Sequence, residues 1–197
     1  MMMLRVELCE GVDDLVQVRA LLEANHARAI DPASWASQGF VTMDYTVEEL
    51  AGICGPYRHV VAKDGERVVG YALVLLAERG AAFRVLDDMF NKIAAGSIDG
   101  EPIRDGSYFV MGQVCIARGY RGKGLFGQLY RALRAQMRGH FAFVITEVSD
   151  QNVRSMGAHR AIGFRDIDSA GAAPSEWHVA AWDWREQAEG CRAGAAR

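Results

Sequence analysis

The sequence predicts a mixed α/β domain in which helices connect the central strands of a sheet and hairpins close its flanks. Stretches of strand length carry this expectation: Leu4 to Leu8 alternates, and Val68 to Ala77 and Tyr108 to Ile116 are apolar runs. Other apolar residues repeat at helical spacing, as Leu15, Val18 and Leu22 do. Lys63-Asp64-Gly65-Glu66 joins two strand-like stretches with the Asp-Gly signal of a hairpin.

Taken in order, Leu4 to Leu8 alternates as a first strand, and Asp13-Asp14 opens a helix. Residues 31–44 read as a loop carrying Trp35, Phe40 and Met43. Thr46-x-x-Glu49 has the form of a capping box and starts a second helix near Val47. Val60 to Ala62 and Val68 to Ala77 are the second and third strands. Phe83, Leu86, Phe90 and Ile93, spaced 3, 4 and 3, predict one short amphipathic helix. Gly96 to Gly106 holds three glycines and a proline and reads as a loop. Tyr108 to Ile116 is the fourth strand, and Leu125 to Arg138 a helix. Phe141 to Val148, the fifth strand, is apolar on both faces and belongs at the centre of a sheet. A helix from about Asn152 to Ile162 ends at Gly163. Two more strands fit Phe164 to Ile167 and Trp177 to Trp184. The expectation is one domain over 1–185, with an insertion at 78–106 and a frayed Ala/Gly-rich tail at 186–197.

Composition narrows the function. A net charge of −3 gives no reason to expect nucleic acid or an anionic membrane as partner. Cys9, Cys54, Cys115 and Cys191 are widely spaced, without a Cys-x-x-Cys pair or zinc-ligand spacing, so no metal is expected and reduced thiols point to the cytoplasm. Glu7 and Glu10 interrupt any apolar run of a signal peptide, and no stretch approaches a membrane span.

The most informative stretch is Arg118 to Gly127, Arg-Gly-Tyr-Arg-Gly-Lys-Gly-Leu-Phe-Gly, between a strand and a helix. Such a loop aims backbone N–H groups and the positive end of a helix dipole at one point, where phosphates bind. A nucleoside triphosphate loop is excluded, because Leu125 and Phe126 stand where lysine and a hydroxyl residue are needed. Gly122-x-Gly124-x-x-Gly127 is a literal dinucleotide fingerprint, with Glu147 downstream. Against it, five residues separate Ile116 from Gly122, and only about 50 follow Glu147. Coenzyme A is the third reading, its pyrophosphate on the amides of Gly122, Lys123, Gly124, Leu125, Phe126 and Gly127.

Here the sequence resembles the GNAT family of N-acetyltransferases, whose loop reads [Arg/Gln]-x-x-Gly-x-[Gly/Ala]. Arg121-x-x-Gly124 fits; Phe126 departs from the last position, with Gly127 just after it. Glu147, Asn152, Ser155, His159 and Gly163-Phe164 extend the likeness, which covers roughly residues 107 to 165. The resemblance implies a central mixed, mostly antiparallel sheet with splayed fourth and fifth strands, flanked by helices. It also implies acetyl-CoA as co-substrate. Val114, Cys115 and Ile116 would offer backbone groups to the pantetheine arm, and Asn152 would hydrogen-bond it. Arg118, Arg121 and Lys123 would meet phosphates. Asn152, Ser155 and His159 lie within an arc of about 80° on one helix, so one polar face looks into the cleft.

For catalysis, Glu147 ends the fifth strand on the face of Phe141, Phe143 and Ile145, where a carboxylate is out of pattern. In ribosomal-protein alanine acetyltransferases, which this stretch resembles, a glutamate here acts as general base. His159 stands where many members have a tyrosine acid; a buried Cys115 is expected to be inert. The expected function is acetyl transfer to a primary amine of a small molecule, such as an amino acid, polyamine or aminoglycoside, with Phe40 and Asp44 as acceptor contacts. A protein N-terminus or lysine, a non-catalytic acyl-CoA-binding protein and a homodimer all stay open.

Overall fold

Alternation along the central strands divides the core in two. The computed structural model describes residues 4–169 and 175–185. Strands β1 (Leu4–Leu8), β2 (Val60–Asp64) and β3 (Arg67–Leu75) form one flank of the main sheet. In β3, Tyr71, Leu73 and Leu75 pack on one face with Val18, Leu22 and Leu50. Ala72 and Val74 face the other way, towards Leu129, Leu133 and Met137. Burial on both faces explains why this strand reads as a continuous apolar run.

The first face is covered by α1 (Gly11–Asn25), which buries Leu15, Val18 and Leu22 as their spacing requires. Beyond a short α2 (Trp35–Gln38), helix α3 (Val47–Ile53) starts at the expected capping box, Thr46 and Glu49 each accepting a backbone N–H from the other. The β2–β3 hairpin turns at Gly65-Glu66, one residue later than the Asp-Gly signal suggests, because Asp64 still pairs with Arg67. Gly65 takes φ 60°, the left-handed first position of a two-residue turn.

The segment after β3 departs most from expectation. It holds a single turn, α4 (Ala77–Gly80), and a 3-10 turn at Arg84–Leu86 that runs into α5 (Asp87–Ala94). The expected loop at 96–106 instead contains β4 (Gly96–Ile98) and β5 (Glu101–Pro102), a hairpin that pairs with the later β9 (Asp168–Ser169). Its turn is Asp99-Gly100, with φ 54° and 80°. That dipeptide is the strongest hairpin signal in the segment, and the surrounding glycines and proline hide it.

The main sheet continues with β6 (Tyr108–Ile116), β7 (Phe143–Ser149), β8 (Arg165–Asp166) and β10 (Trp177–Asp183), in the order β1-β2-β3-β6-β7-β10-β8. Neighbours are antiparallel except β6 and β7. Helix α6 (Leu125–Met137) crosses between that parallel pair and covers the second face, and α7 (Val153–Ile162) follows β7. This is the mixed, mostly antiparallel sheet expected, and not the doubly wound parallel sheet of a dinucleotide-binding protein. Gly163, at φ 112°, ends α7 as its position promises. Cys191 and the tail at 186–197 lie outside the described residues.

Candidate active site

The cleft originates in one irregularity of β6. Opposite β3, Gln113 pairs with Leu73 but Met111 pairs with Val74, so Gly112 is an extra residue. A Cβ on Gly112 would stand 3.1 Å from that of Leu75, closer than a side chain tolerates without movement. Such a bulge bends and twists its strand. β6 pairs with β7 only from Tyr108 to Val110, and the two separate beyond that point. Ala117 donates to the Val69 carbonyl. The antiparallel alternation then turns the N–H and C=O groups of Val114 and Ile116 away from β3, towards the gap beside β7.

The glycine loop closes one end of this gap. A 3-10 turn at Arg118–Tyr120 leads to Gly122 and Gly124, at φ 75° and 74°. A Cβ on Gly122 would meet nothing within 4 Å, so the glycine leaves open space beside its backbone. Gly124 caps α6 without any side-chain hydrogen bond, leaving the first-turn amides of that helix free. Uncapped amides, an open glycine cradle and the helix dipole together suit a phosphate group.

The gap holds two adjoining cavities. One, of about 280 Å³, is lined by Cys115, Ile116, Arg121, Gly122, Gly124 and Leu125, with Arg154 and Ala158 from α7. The other, of about 360 Å³, is lined by Asp44, Phe83, Met89, Gln113, Glu147 and Trp177, among others. Phe40, Val41, Val114 and Ser155 belong to both walls, so the two are halves of one cleft. Glu147 stands in the second half with its side chain only 15% exposed and Lys92 Nζ 3.7 Å from Oε1. Burial raises its pKa above the ordinary carboxylate value, and the Lys92 charge opposes that rise.

A family model described as the acetyltransferase (GNAT) family matches residues 27–164. The chain belongs to that family. The match reaches well upstream of the loop and helix that suggested it in the sequence. No curated protein matches the chain in sequence. Solved structures share its fold at low identity. The ribosomal-protein-S18-alanine N-acetyltransferase from Escherichia coli is 13% identical, covering 92% of this chain and 94% of that one, with TM-score 0.56. The diaminobutyrate acetyltransferase EctA from Paenibacillus lautus, solved with L-2,4-diaminobutyric acid and coenzyme A, is 14% identical, with 93% and 96% covered and TM-score 0.57. yncA, a putative acetyltransferase from Salmonella typhimurium solved with acetyl-CoA, is 18% identical, with 94% and 96% covered and TM-score 0.57.

In this acetyltransferase several polar side chains singled out in the sequence turn out to be committed to the protein itself. The Arg121 guanidinium donates to the carbonyls of Ile116 (2.8 Å) and Gln38 (2.6 Å) and to Asn25 Oδ1 (2.9 Å). It ties the loop to α1 and α2 and is not a free phosphate partner. Arg118 donates to the Gln38 side chain, and Lys123 is exposed with its amine 5.0 Å from the Tyr120 ring. Asn152 accepts from the Ser155 N–H at 3.3 Å and donates to the Phe40 carbonyl at 2.8 Å. Both ends of its amide are engaged, so it caps α7 and fastens segment 39–40. Cys115 is buried, which pushes its thiol up to about 12 and disfavours the thiolate a nucleophile needs.

His159 also departs from expectation. It is buried between Phe126, Tyr130 and Phe164, with ring centroids 5.0–5.6 Å apart. Nδ1 donates to the Ser155 carbonyl at 2.8 Å, which leaves Nε2 to accept from the Tyr130 hydroxyl at 2.7 Å. Burial lowers its pKa to about 4. No N–H of this ring is left to protonate a leaving group, so the geometry makes it a packing and positioning residue. The ring of Phe126, at the position where the family motif has Gly or Ala, completes the same aromatic cluster. Asp44 is similarly occupied: it pairs with Arg19 and Arg28, which hold its carboxyl below the usual range.

Sequence reasoning missed Lys92 and Arg154. Lys92 sits one turn beyond Asp88 on α5, and only the fold brings it behind Glu147. Arg154 lies two residues after Asn152 in the first turn of α7, a position its neighbour's apparent role in the motif pointed to.

Proposed function

We propose that this GNAT member transfers the acetyl group of acetyl-CoA to the primary amine of a small molecule by direct attack. The observation that carries the proposal is the continuity of the cleft: a phosphate-type cradle opens into one half, and Glu147 stands in the other. The residues present suit coenzyme A. The open amides from Gly122 to Gly127 would take its pyrophosphate, and the outward-turned groups of Val114 and the N–H of Ile116 would take the pantetheine arm. Bound as acetyl-CoA, it would supply the thioester carbonyl that the amine attacks.

A primary amine is mostly protonated near neutral pH and attacks only after losing a proton. Glu147 accepts that proton, directly or through water, its burial raising its basicity towards the useful range. A backbone N–H near Ile116 stabilises the oxyanion that develops on the carbonyl. No acid from His159 is required, since a thiol of pKa about 8.5 is a tolerable leaving group. The Ser155 hydroxyl, at the wall between the halves, is placed to donate a hydrogen bond there.

The test is thiol release from acetyl-CoA in the presence of a panel of primary amines. Amine-dependent release supports transfer. Acetyl-CoA binding without release under any amine would leave a binding protein and sink the enzymatic assignment of this cleft.

A further inference from the structure

We infer that the acceptor is a primary amine on an apolar, aromatic-sized body that carries no carboxylate and no second ammonium group. The inference rests on the proposed function and narrows the substrate class of that same site. It comes from the chemistry of the acceptor half. Phe40, Phe83, Val85, Leu86, Met89 and Trp177 line it, supplied by the segment before α3, by the turn into α5 and by β10. These side chains make a wall suited to a flat apolar group.

Charge sharpens the choice. Among the described residues, no lysine or arginine lines this half, whereas Asp44, Glu49 and Glu147 do. The carboxylate of an amino acid would be withdrawn from water against apolar and acidic groups, with no cationic side chain in the wall to meet it. The cations around it are already engaged: Lys92 is held behind Glu147 by Asp88 (2.7 Å), Ser175 (2.9 Å) and the Trp177 carbonyl (3.4 Å), and Arg19 and Arg28 are paired with Asp44. Residues 170–174, Ala-Gly-Ala-Ala-Pro, carry no charged side chain.

Polyamines and aminoglycosides fit no better. A second ammonium group needs a second available carboxylate. Asp44 is neutralised by Arg19 and Arg28, and Glu49 is held by one oxygen in the α3 capping box, accepting the Thr46 N–H at 2.7 Å. Glu147 alone keeps a long, 3.7 Å partner and faces the cavity. One ammonium is therefore recognised and deprotonated there, and the rest of the molecule is sorted by its apolar surface. A cavity of about 360 Å³ suits a small molecule better than a chain that must continue beyond it.

The experiment compares matched pairs: tryptamine with tryptophan, and phenethylamine with phenylalanine. Phenylalaninamide, spermidine and an alanine-led tetrapeptide amide complete the set. Each is assayed for thiol release from acetyl-CoA and titrated calorimetrically into protein saturated with coenzyme A. The inference predicts that each carboxylate-free amine exceeds its amino-acid twin by about tenfold or more in both kcat/KM and affinity. A twin that is equal or better overturns it, and so does spermidine or the tetrapeptide as best substrate. Val85→Lys, at a residue 73% exposed on the rim, places a cation there and should shrink the tryptamine preference without changing acetyl-CoA affinity. An unchanged ratio counts against the inference. Absence of thiol release with every amine sinks the enzymatic reading. The titrations then decide this one alone: a tenfold tryptamine preference retains it, and equal binding removes it.

Discussion

Glu147 shows how one residue carries the chemistry and how its surroundings tune it. The strand pattern around it marks a polar residue out of place, and the structure gives the reason: the face it shares with Phe143 and Ile145 opens at its position into the acceptor half. That much was legible from sequence. Its partner was not, because Lys92 lies 55 positions upstream on a helix whose placement depends on the whole insertion. Lys92 favours the ionised carboxylate, so its removal should raise the Glu147 pKa further. Lys92→Met is therefore expected to move the acid limb of the kcat/KM profile to higher pH, leaving the activity plateau at alkaline pH. An unmoved limb would separate the pair. His159 teaches the opposite lesson. Its spacing from Asn152 placed it on the correct helix face, but spacing does not reveal that Tyr130 and the Ser155 carbonyl already occupy both ring nitrogens.

At the scale of elements, β6, the loop and α6 act as one device. The Gly112 bulge frees a strand edge, and Gly122 and Gly124 bring free amides up to it. The loop was legible because glycines at these positions have few other uses, and the helix after it because its apolar stripe, Leu125, Leu129 and Leu133, is regular. Less was legible where elements are shorter than their signal. Asp99-Gly100 makes a hairpin of two- and three-residue strands, too short for alternation to register. The cleft-facing helix α2 spans only four residues and lacks an apolar stripe of its own. Gly124→Ala is a test at this scale. A Cβ at φ 74° costs about 1–2 kcal/mol in backbone strain. The substitution should lower the urea midpoint accordingly and weaken acetyl-CoA binding, read by calorimetry. Unaltered binding would place the pyrophosphate elsewhere.

For the molecule as a whole, two cores share one sheet, and the cleft is where the sheet divides. Fold class was readable because the central strands are long and buried on both faces, while the splayed fourth and fifth strands were implied by the family resemblance. Which side chains stayed free inside the cleft was not, since Arg121, Asn152 and Asp44 find protein partners through contacts far apart in sequence. Burial also sets a global pH response. His59 donates to the Leu50 carbonyl and accepts from the Val74 N–H, and it joins His159 in being held neutral, with a pKa lowered to about 4. Unfolded, each binds a proton below about 6.5. Unfolding thus takes up protons between about pH 6.5 and 4, and stability should decline as pH falls through that window, by at most about 3 kcal/mol for each histidine. Urea unfolding at a series of pH values checks this, and His159→Phe should flatten the slope; a level profile in the unmodified protein would contradict it. The central claim is that donor and acceptor occupy separate halves of one cleft and that Glu147 serves the second. It is tested most directly by Glu147→Gln, with turnover and acetyl-CoA affinity measured on the same preparation. Turnover should fall roughly a hundredfold or more while acetyl-CoA affinity stays within about twofold. Undiminished turnover, or a parallel loss of acetyl-CoA binding, would contradict it.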